Sequence, residues 1–74
     1  MRIGLAGLGP RGLWWLHLLQ KLPGCRLVAL CDRIAALHEK GLAALANRRG
    51  VKLYTDCNKF LADKNVDAVA LTVR

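Results

Sequence analysis

Apolar residues along the chain form two kinds of stretch that alternate from one end to the other. Short aliphatic runs indicate strands, and the unbroken run over residues 27–30 indicates burial on both faces of a parallel sheet. They predict strands over residues 2–6, 26–31, 51–54 and 66–73. Apolar residues at helical spacing predict a helix that begins at Pro10 and ends before Pro23, a helix over residues 34–47, and a short helix capped by Thr55 or Asp56.

Strands that alternate with helices predict right-handed βαβ units and therefore an α/β fold. The expected sheet is parallel, is flanked by helices and has the strand order 3-2-1-4, which is half of a doubly wound, Rossmann-like fold. The chain has 74 residues, of which 54% are apolar and 23% are charged. This is enough for one small domain and is too apolar for a disordered segment.

A glycine motif connects the first predicted strand to the first predicted helix. Gly7, Gly9 and Gly12 have the spacing GxGxxG, and Asp32 ends the second strand twenty residues beyond Gly12. This combination is the fingerprint of a dinucleotide-binding βαβ unit. The first glycine allows a tight turn, the second allows the backbone to approach a pyrophosphate, and the third allows the helix to pack close to the sheet. The structural alternatives are a simple turn before a helix and, for Asp32, a strand-end or helix-capping residue.

The charges near this motif bear on the choice of cofactor. The Asp32 carboxylate is suited to accept hydrogen bonds from a ribose diol and repels a 2′-phosphate, which favours NAD over NADP. Arg33 follows it directly, and Arg11 lies inside the glycine motif beside Pro10. Both arginines are able to meet a phosphate, so NADP stays open, and simple exposure to solvent is the alternative for both.

The net charge of +7 arises from twelve Lys and Arg against five Asp and Glu. Nucleic acid, an anionic membrane surface and a phosphorylated ligand are all compatible with such a charge. The basic residues are scattered, however, and no nucleic-acid-binding motif accompanies them. No uncharged stretch is long enough to span a bilayer. We therefore expect a cytoplasmic protein whose partner is a dinucleotide rather than nucleic acid or a membrane.

The cysteines favour neither disulfides nor a metal site. Cys25, Cys31 and Cys57 are odd in number and form no CxxC motif, and neither histidine lies near a cysteine pair. We expect three reduced, buried thiols and no metal.

Further predictions concern the two tryptophans and the two histidines. Trp14 and Trp15 lie about 100° apart on a helix and cannot both face the sheet. One is expected in the core and the other outside, covered by another segment or a partner, and a partly buried helix edge is the alternative. His17 is expected in the core or at its edge, and His38 on a solvated helix face.

These motifs together resemble the amino-terminal cofactor-binding domain of the Gfo/Idh/MocA family of oxidoreductases, which includes glucose–fructose oxidoreductase and inositol dehydrogenase. The resemblance covers the whole chain and is carried by the segments IGLAGLGPRG, LVALCDR, YTD and VDAVALT. The last two are more specific to the family than the glycine motif. In the family the strand that corresponds to residues 66–73 usually runs into Thr-Pro, and the loop there lies against the cofactor. Thr72 matches that threonine, and Val73 stands in place of the proline.

Family members are NAD(P)-dependent oxidoreductases that act on sugars, inositols and related polyols. The resemblance implies that residues 1–74 are the start of such an enzyme, without its substrate domain. The family's catalytic lysine, in a Glu-Lys-Pro motif, and its catalytic histidine lie further along, so no catalytic residue is assigned here. The alternatives are a non-enzymatic dinucleotide-binding or sensing module, a truncated gene product without activity, and a basic interaction protein. The open edge of the last strand predicts a homo-oligomer or pairing with a further chain segment.

Overall fold

Four parallel strands form one central sheet in a computed structural model that describes residues 1–46 and 49–72. The strands are β1 (Arg2–Ala6), β2 (Arg26–Cys31), β3 (Lys52–Tyr54) and β4 (Ala68–Leu71). Their order across the sheet is β3-β2-β1-β4. All three neighbouring pairs are parallel, which confirms the predicted topology.

Three helices connect the strands: α1 (Pro10–Gln20), α2 (Ala36–Ala44) and α3 (Cys57–Leu61). Side chains that alternate along the strands divide the core between the two faces of the sheet. On one face Leu5 and Leu30 pack with Leu16 of α1. On the other face Ala29 packs with Phe60 of α3. Leu5, Leu16, Leu30 and Phe60 are completely buried. The burial of β2 agrees with its continuous apolar run, whereas the side chains of β3 and β4 are exposed or half-buried.

The second helix is shorter than predicted at its start because a side chain competes for the backbone. Residues 34–47 were expected to be helical, but α2 begins at Ala36. The Ile34 N–H donates to the Asp32 carboxylate at 2.8 Å, and this bond holds the residues that precede α2 in a turn. At the other end, Gln20 of α1 donates to the Ala44 carbonyl at 3.0 Å and accepts from the Ala46 N–H at 2.7 Å. Residue 47 lies outside the described residues.

The remaining boundaries agree more closely with the sequence pattern. Of the two expected caps of α3, Asp56 is the one observed, and its carboxylate accepts from the Asn58 N–H at 2.8 Å. The last strand was expected over residues 66–73, but β4 begins at Ala68, since the Val66 N–H donates to the Asp63 carbonyl in a turn. Residue 73 is outside the described part of the chain.

Two aromatic residues lie on the outer side of α1, contrary to the expectation that one of them would be in the core. Trp14 is 58% exposed and Trp15 41% exposed, and their rings form an edge-to-face pair with centroids 5.3 Å apart. The core-facing stripe of α1 is occupied instead by Gly12 and Leu16. His17 was expected in the core or at its edge and is exposed.

The three cysteines are free, as expected, but only Cys31 is buried, while Cys57 is exposed. In residues 1–46 and 49–72 no three His, Cys, Asp or Glu side chains come together in a way that suits a metal ion. None of the helices described here has the length and apolar character needed to cross a membrane.

Candidate functional site

A cavity of about 390 Å³ opens at the carboxyl end of the sheet. The loops that follow β1, β2 and β4 meet there. The strands β2 and β3 lie on one side of β1, and β4 lies on the other side. Ligands of open α/β sheets bind where the strand order reverses in this way. Seven of the eight residues expected to bind a cofactor line this cavity: Gly7, Gly9, Pro10, Arg11, Gly12, Asp32 and Thr72.

The glycine loop is shaped by two close backbone approaches. Gly7 has φ +95°, and a Cβ atom there would lie 2.1 Å from the Thr72 hydroxyl oxygen. A Cβ atom on Gly12 would lie 1.8 Å from the Gly7 carbonyl oxygen. The turn predicted at Gly7 and the close packing predicted at Gly12 are both confirmed. Any larger residue at either position would push α1 or β4 away from β1.

The first turn of α1 forms one wall of the cavity. Gly9 precedes the helix, and its carbonyl accepts from the Leu13 N–H at 2.9 Å. Pro10, which has no N–H to satisfy, starts the helix. The first turn carries no acidic residue, while Arg11 is exposed and lines the cavity. The helix N-terminus, its free N–H groups and this guanidinium together make the wall attractive to an anion.

Asp32 lies across the cavity, and its carboxylate is held by two backbone N–H groups. Leu8, inside the glycine loop, donates to Oδ2 at 2.8 Å, and Ile34 donates to Oδ1 at 2.8 Å. Each carboxylate oxygen has a further lone pair with which to accept another hydrogen bond. The half-buried Asp32 therefore ties the loop after β1 to the loop after β2, a structural role that the sequence pattern did not reveal.

Thr72 ties the end of β4 to the end of β1. Its backbone N–H donates to the Ala6 carbonyl at 3.0 Å. Its hydroxyl group lies 3.0 Å from the same carbonyl oxygen and 3.2 Å from the Gly7 carbonyl oxygen. The threonine therefore fixes the position of the glycine loop from the side of β4.

Arg33 and Cys31 are next to Asp32 in the sequence but do not line the cavity. Arg33 is exposed and is not among the residues that line the cavity, so its expected contact with a cofactor stays a prediction. Cys31 is buried, and this burial raises the pKa of its thiol, with smaller contributions from Cys57, Asp32 and Asp56. The thiol is therefore neutral near pH 7 and acts as a small apolar residue of the core.

His38 is the residue near the site that sequence reasoning misplaced. It was expected on a solvated helix face, but it is half-buried, and its Nε2 lies 3.0 Å from the Asp32 carbonyl oxygen and 3.1 Å from the Tyr54 carbonyl oxygen. Its position in the first turn of α2 was the available signal. Helical side chains lean toward the helix N-terminus, which here faces the ends of β2 and β3.

Comparison with solved structures defines the class of protein to which this fold and cavity correspond. No protein-family model matches the chain, and no curated protein matches it in sequence. The solved structures that resemble it share the Rossmann-like sheet with the order 3-2-1-4 found at the start of dehydrogenases. The fold predicted from the alternation of strands and helices is thereby confirmed.

Inositol dehydrogenases from Lactobacillus casei are among the solved structures that share the fold. The myo-inositol dehydrogenase in complex with NAD(H) and myo-inositol is 26% identical, with a TM-score of 0.86 over 97% of this chain. The scyllo-inositol dehydrogenase with NAD(H) and scyllo-inositol is 22% identical over the whole chain, with a TM-score of 0.75, and its apo form is 23% identical, with a TM-score of 0.78. The chain spans 21% of the length of each. These neighbours confirm the resemblance inferred from the motifs.

Proposed function

We propose that this chain binds a nicotinamide dinucleotide, NAD, in the cavity at the carboxyl end of β1, β2 and β4. The observation that carries the proposal is the convergence of the glycine loop, the N-terminus of α1 and the Asp32 carboxylate on one cavity. The myo-inositol dehydrogenase that is similar to this chain was solved in complex with NAD(H), which supports the same cofactor here.

The residues that line the cavity fit the parts of a dinucleotide. Gly9 and the first turn of α1 would receive the pyrophosphate, since backbone N–H groups and a positive helix end favour an anion there. Arg11 would add a charge-assisted hydrogen bond. Asp32 would accept from the ribose hydroxyl groups with the lone pairs that its two backbone donors leave available. Thr72 would keep the loop after β4 against the cofactor.

The preference for NAD over NADP rests on charge. A 2′-phosphate on the ribose would approach the Asp32 carboxylate, which is held in place by two N–H groups and cannot turn away without breaking both bonds. Arg33 is the nearest basic residue in sequence and is exposed, so it is the residue that would offset this repulsion. We propose NAD as the preferred cofactor, with weaker binding of NADP.

The proposal is tested by titrating the 74-residue chain with NADH and NADPH, using calorimetry and the fluorescence of the two tryptophans. Asp32→Asn keeps the side-chain shape but presents an NH₂ group to one of two backbone donors, so at least one hydrogen bond within the chain is lost. The ribose hydroxyl groups also lose their charged acceptor, and because a hydrogen bond to a charged group contributes about 1.5–3 kcal/mol, NADH affinity should fall about tenfold or more. Glu39→Gln, on the exposed part of α2, is the matched control and should bind NADH as the wild type does. Absence of saturable binding by a folded wild-type chain would overturn the proposal.

A wider function follows if the cavity binds NAD. We propose that the cofactor serves an oxidoreductase that acts on a sugar, an inositol or a related polyol, with NAD supplying the hydride acceptor. The support is the resemblance to inositol dehydrogenases, one of them solved with myo-inositol. A non-enzymatic dinucleotide-binding or sensing module is the alternative. Because no catalytic residue is assigned within residues 1–74, the assay needs a longer polypeptide that carries the Glu-Lys-Pro motif. Production of NADH from NAD and myo-inositol by that polypeptide would support an oxidoreductase, whereas a sensing module would bind NADH without turnover.

The outer edge of β4 is a further part of the proposal. No strand among the described residues pairs with it, and Val69 and Leu71 are 37% and 60% exposed. An unpaired edge with apolar side chains readily accepts another strand. We propose that this edge pairs with a second copy of the chain or with a further segment of polypeptide. Sedimentation equilibrium should detect dimers or larger species of the 74-residue chain, and a stable monomer would exclude self-association.

A further inference from the structure

We infer that His38 is a positioning residue of the cavity. Through its hydrogen bond to the Asp32 carbonyl oxygen it holds Asp32, and through the Asp32 carboxylate the glycine loop, in the geometry that receives a dinucleotide. The inference about the loop stands on hydrogen bonds within the chain. Its consequence for cofactor affinity rests on the proposed function. His38 itself does not line the cavity, so it acts through Asp32 rather than by touching a ligand.

The hydrogen bonds of His38 determine where its proton lies. Nε2 is 3.0 Å from the Asp32 carbonyl oxygen and 3.1 Å from the Tyr54 carbonyl oxygen. A carbonyl oxygen only accepts hydrogen bonds, so Nε2 must carry the hydrogen and donate it to both. Because the Tyr54 carbonyl also accepts from the Asp32 N–H at 3.0 Å, the imidazole extends the ladder between β2 and β3 by one contact beyond its last backbone bond.

This contact lies at the point where regular pairing of the sheet ends. The last paired residues of β2 and β3 are Cys31 and Tyr54. Asp32 follows immediately, so without His38 its carbonyl would lack this bond from the first turn of α2. The bond fixes the orientation of the peptide group that follows Asp32. Because the Asp32 side chain is attached to the same Cα atom as this carbonyl group, fixing the peptide group also restricts the position of the carboxylate.

The constraint on Asp32 then reaches the glycine loop. The carboxylate of Asp32 accepts from the Leu8 N–H at 2.8 Å and from the Ile34 N–H at 2.8 Å. Leu8 is completely buried, and it lies between Gly7 and Gly9, both of which line the cavity. A rotation of Asp32 would therefore break the bond that anchors the loop on which the pyrophosphate is proposed to bind. His38, Asp32 and Leu8 form one chain of contacts from α2 to the loop.

Three variants test whether the hydrogen-bond donor of His38 is responsible, rather than the bulk of its ring. His38→Phe keeps a planar ring but has no donor, and His38→Gln restores a donor at a similar distance from the backbone. His17→Ala changes the only other histidine, which is exposed on α1. For each variant we would measure NADH affinity and the hydrogen exchange of the Leu8 and Ile34 amides by NMR. The Asn58 amide is the internal control, because it makes the same kind of bond, to the Asp56 carboxylate at 2.8 Å, far from His38 in sequence.

For His38→Phe we expect Leu8 and Ile34 to exchange about tenfold faster, with Asn58 unchanged, and the Kd for NADH to rise about threefold to tenfold, as expected for loss of one neutral donor. His38→Gln should remain within about twofold of the wild type, and His17→Ala should be indistinguishable from it. Equal exchange at Leu8 in His38→Phe and the wild type would overturn the inference. So would an equal acceleration at Asn58, since it would mean a general loss of stability, or a failure of His38→Gln to restore the wild-type values.

If a variant does not fold, the hydrogen bonds of His38 are tested on the unmodified chain instead. The ¹⁵N shifts of the His38 imidazole at a pH where it is neutral should report a hydrogen on Nε2, and a hydrogen on Nδ1 alone would overturn the inference. The tests also distinguish the two proposals. If the folded wild type does not bind NADH, the proposed function fails, while the exchange of the Leu8 amide still tests the role of His38.

Discussion

Replacing Gly12 with alanine is the most informative perturbation of the glycine loop, because helix propensity and tertiary packing predict changes of opposite sign in the stability of the chain. Gly12 is a helical residue in the first part of α1 and does not have a positive φ. On helix propensity alone, alanine would stabilise the chain by about 1 kcal/mol. In the folded chain, however, the new Cβ atom would lie 1.8 Å from the Gly7 carbonyl oxygen and 2.6 Å from its carbonyl carbon.

The size of the effect follows from what has to move. The contact must lengthen from 1.8 Å to at least 3.0 Å, a shift of about 1.2 Å, before it reaches the shortest distance that real Cβ atoms show. The Gly7 backbone cannot yield easily, because its N–H donates to the Cys31 carbonyl at 2.8 Å and its carbonyl lies 3.2 Å from the Thr72 hydroxyl. The helix must move instead, which loosens the completely buried Leu16. Overpacking of this kind costs about 1–3 kcal/mol.

Combining a clash near the upper end of that range with the gain in propensity, we expect Gly12→Ala to lose about 1–2 kcal/mol of unfolding free energy. For a domain of this size the Tm would fall by about 4–16 °C. Thermal and urea unfolding followed by circular dichroism would measure it. Gly41→Ala is the matched control, since its Cβ would meet only side-chain methyl groups, Leu30 Cδ1 at 3.0 Å and Leu8 Cδ1 at 3.2 Å. It should stay within about 1 kcal/mol of the wild type. A Gly12→Ala chain that melts at or above the wild type would refute this reasoning.

Two further predictions concern the ties that hold β4 and the amino terminus of β1. Thr72→Val removes the hydroxyl group that lies 3.0 and 3.2 Å from two carbonyl oxygens at the end of β1. It should lose about 0.5–1.5 kcal/mol in urea unfolding, whereas Thr72→Ser should not; equal losses would mean that the methyl group matters instead. The side-chain hydrogen bond from Arg2 and then its backbone N–H lower the pKa of the Asp67 carboxyl. Because the folded pKa lies below the unfolded value of about 4, this contribution is present at neutral pH and is lost as the pH falls through the folded pKa. The small Tm difference between the wild type and Asp67→Asn should therefore disappear in acid, and a difference that does not change with pH would contradict the assignment.

Much of the architecture could be predicted from the sequence because it depends on composition within short windows. The aliphatic runs located all four strands, and the GxGxxG motif with Asp32 identified six residues that line one cavity. The seventh, Thr72, came from the family resemblance. Such features are local, since a buried parallel strand requires an unbroken apolar run and a tight turn requires glycine. The boundaries at Ala36 and Ala68 were less accessible, because side chains and turns compete there with the helix and the strand.

The parts that sequence reasoning missed arise from contacts between residues that are distant along the chain. His38 and Tyr54 are sixteen residues apart, and Asp32 and Leu8 are twenty-four apart. No periodicity links such pairs, so the half-buried position of His38 and the tie between Asp32 and the glycine loop emerge only when strands β1, β2 and β3 are placed side by side. The exposure of both tryptophans has the same origin, since the close approach of α1 to the sheet, made possible at Gly12, decides which face of the helix is covered. The pattern of residues along the chain specifies the strands, the helices and the chemistry available to the site. Packing in three dimensions decides which side chains hold that site in place, because only the folded chain brings their donors and acceptors within hydrogen-bonding distance.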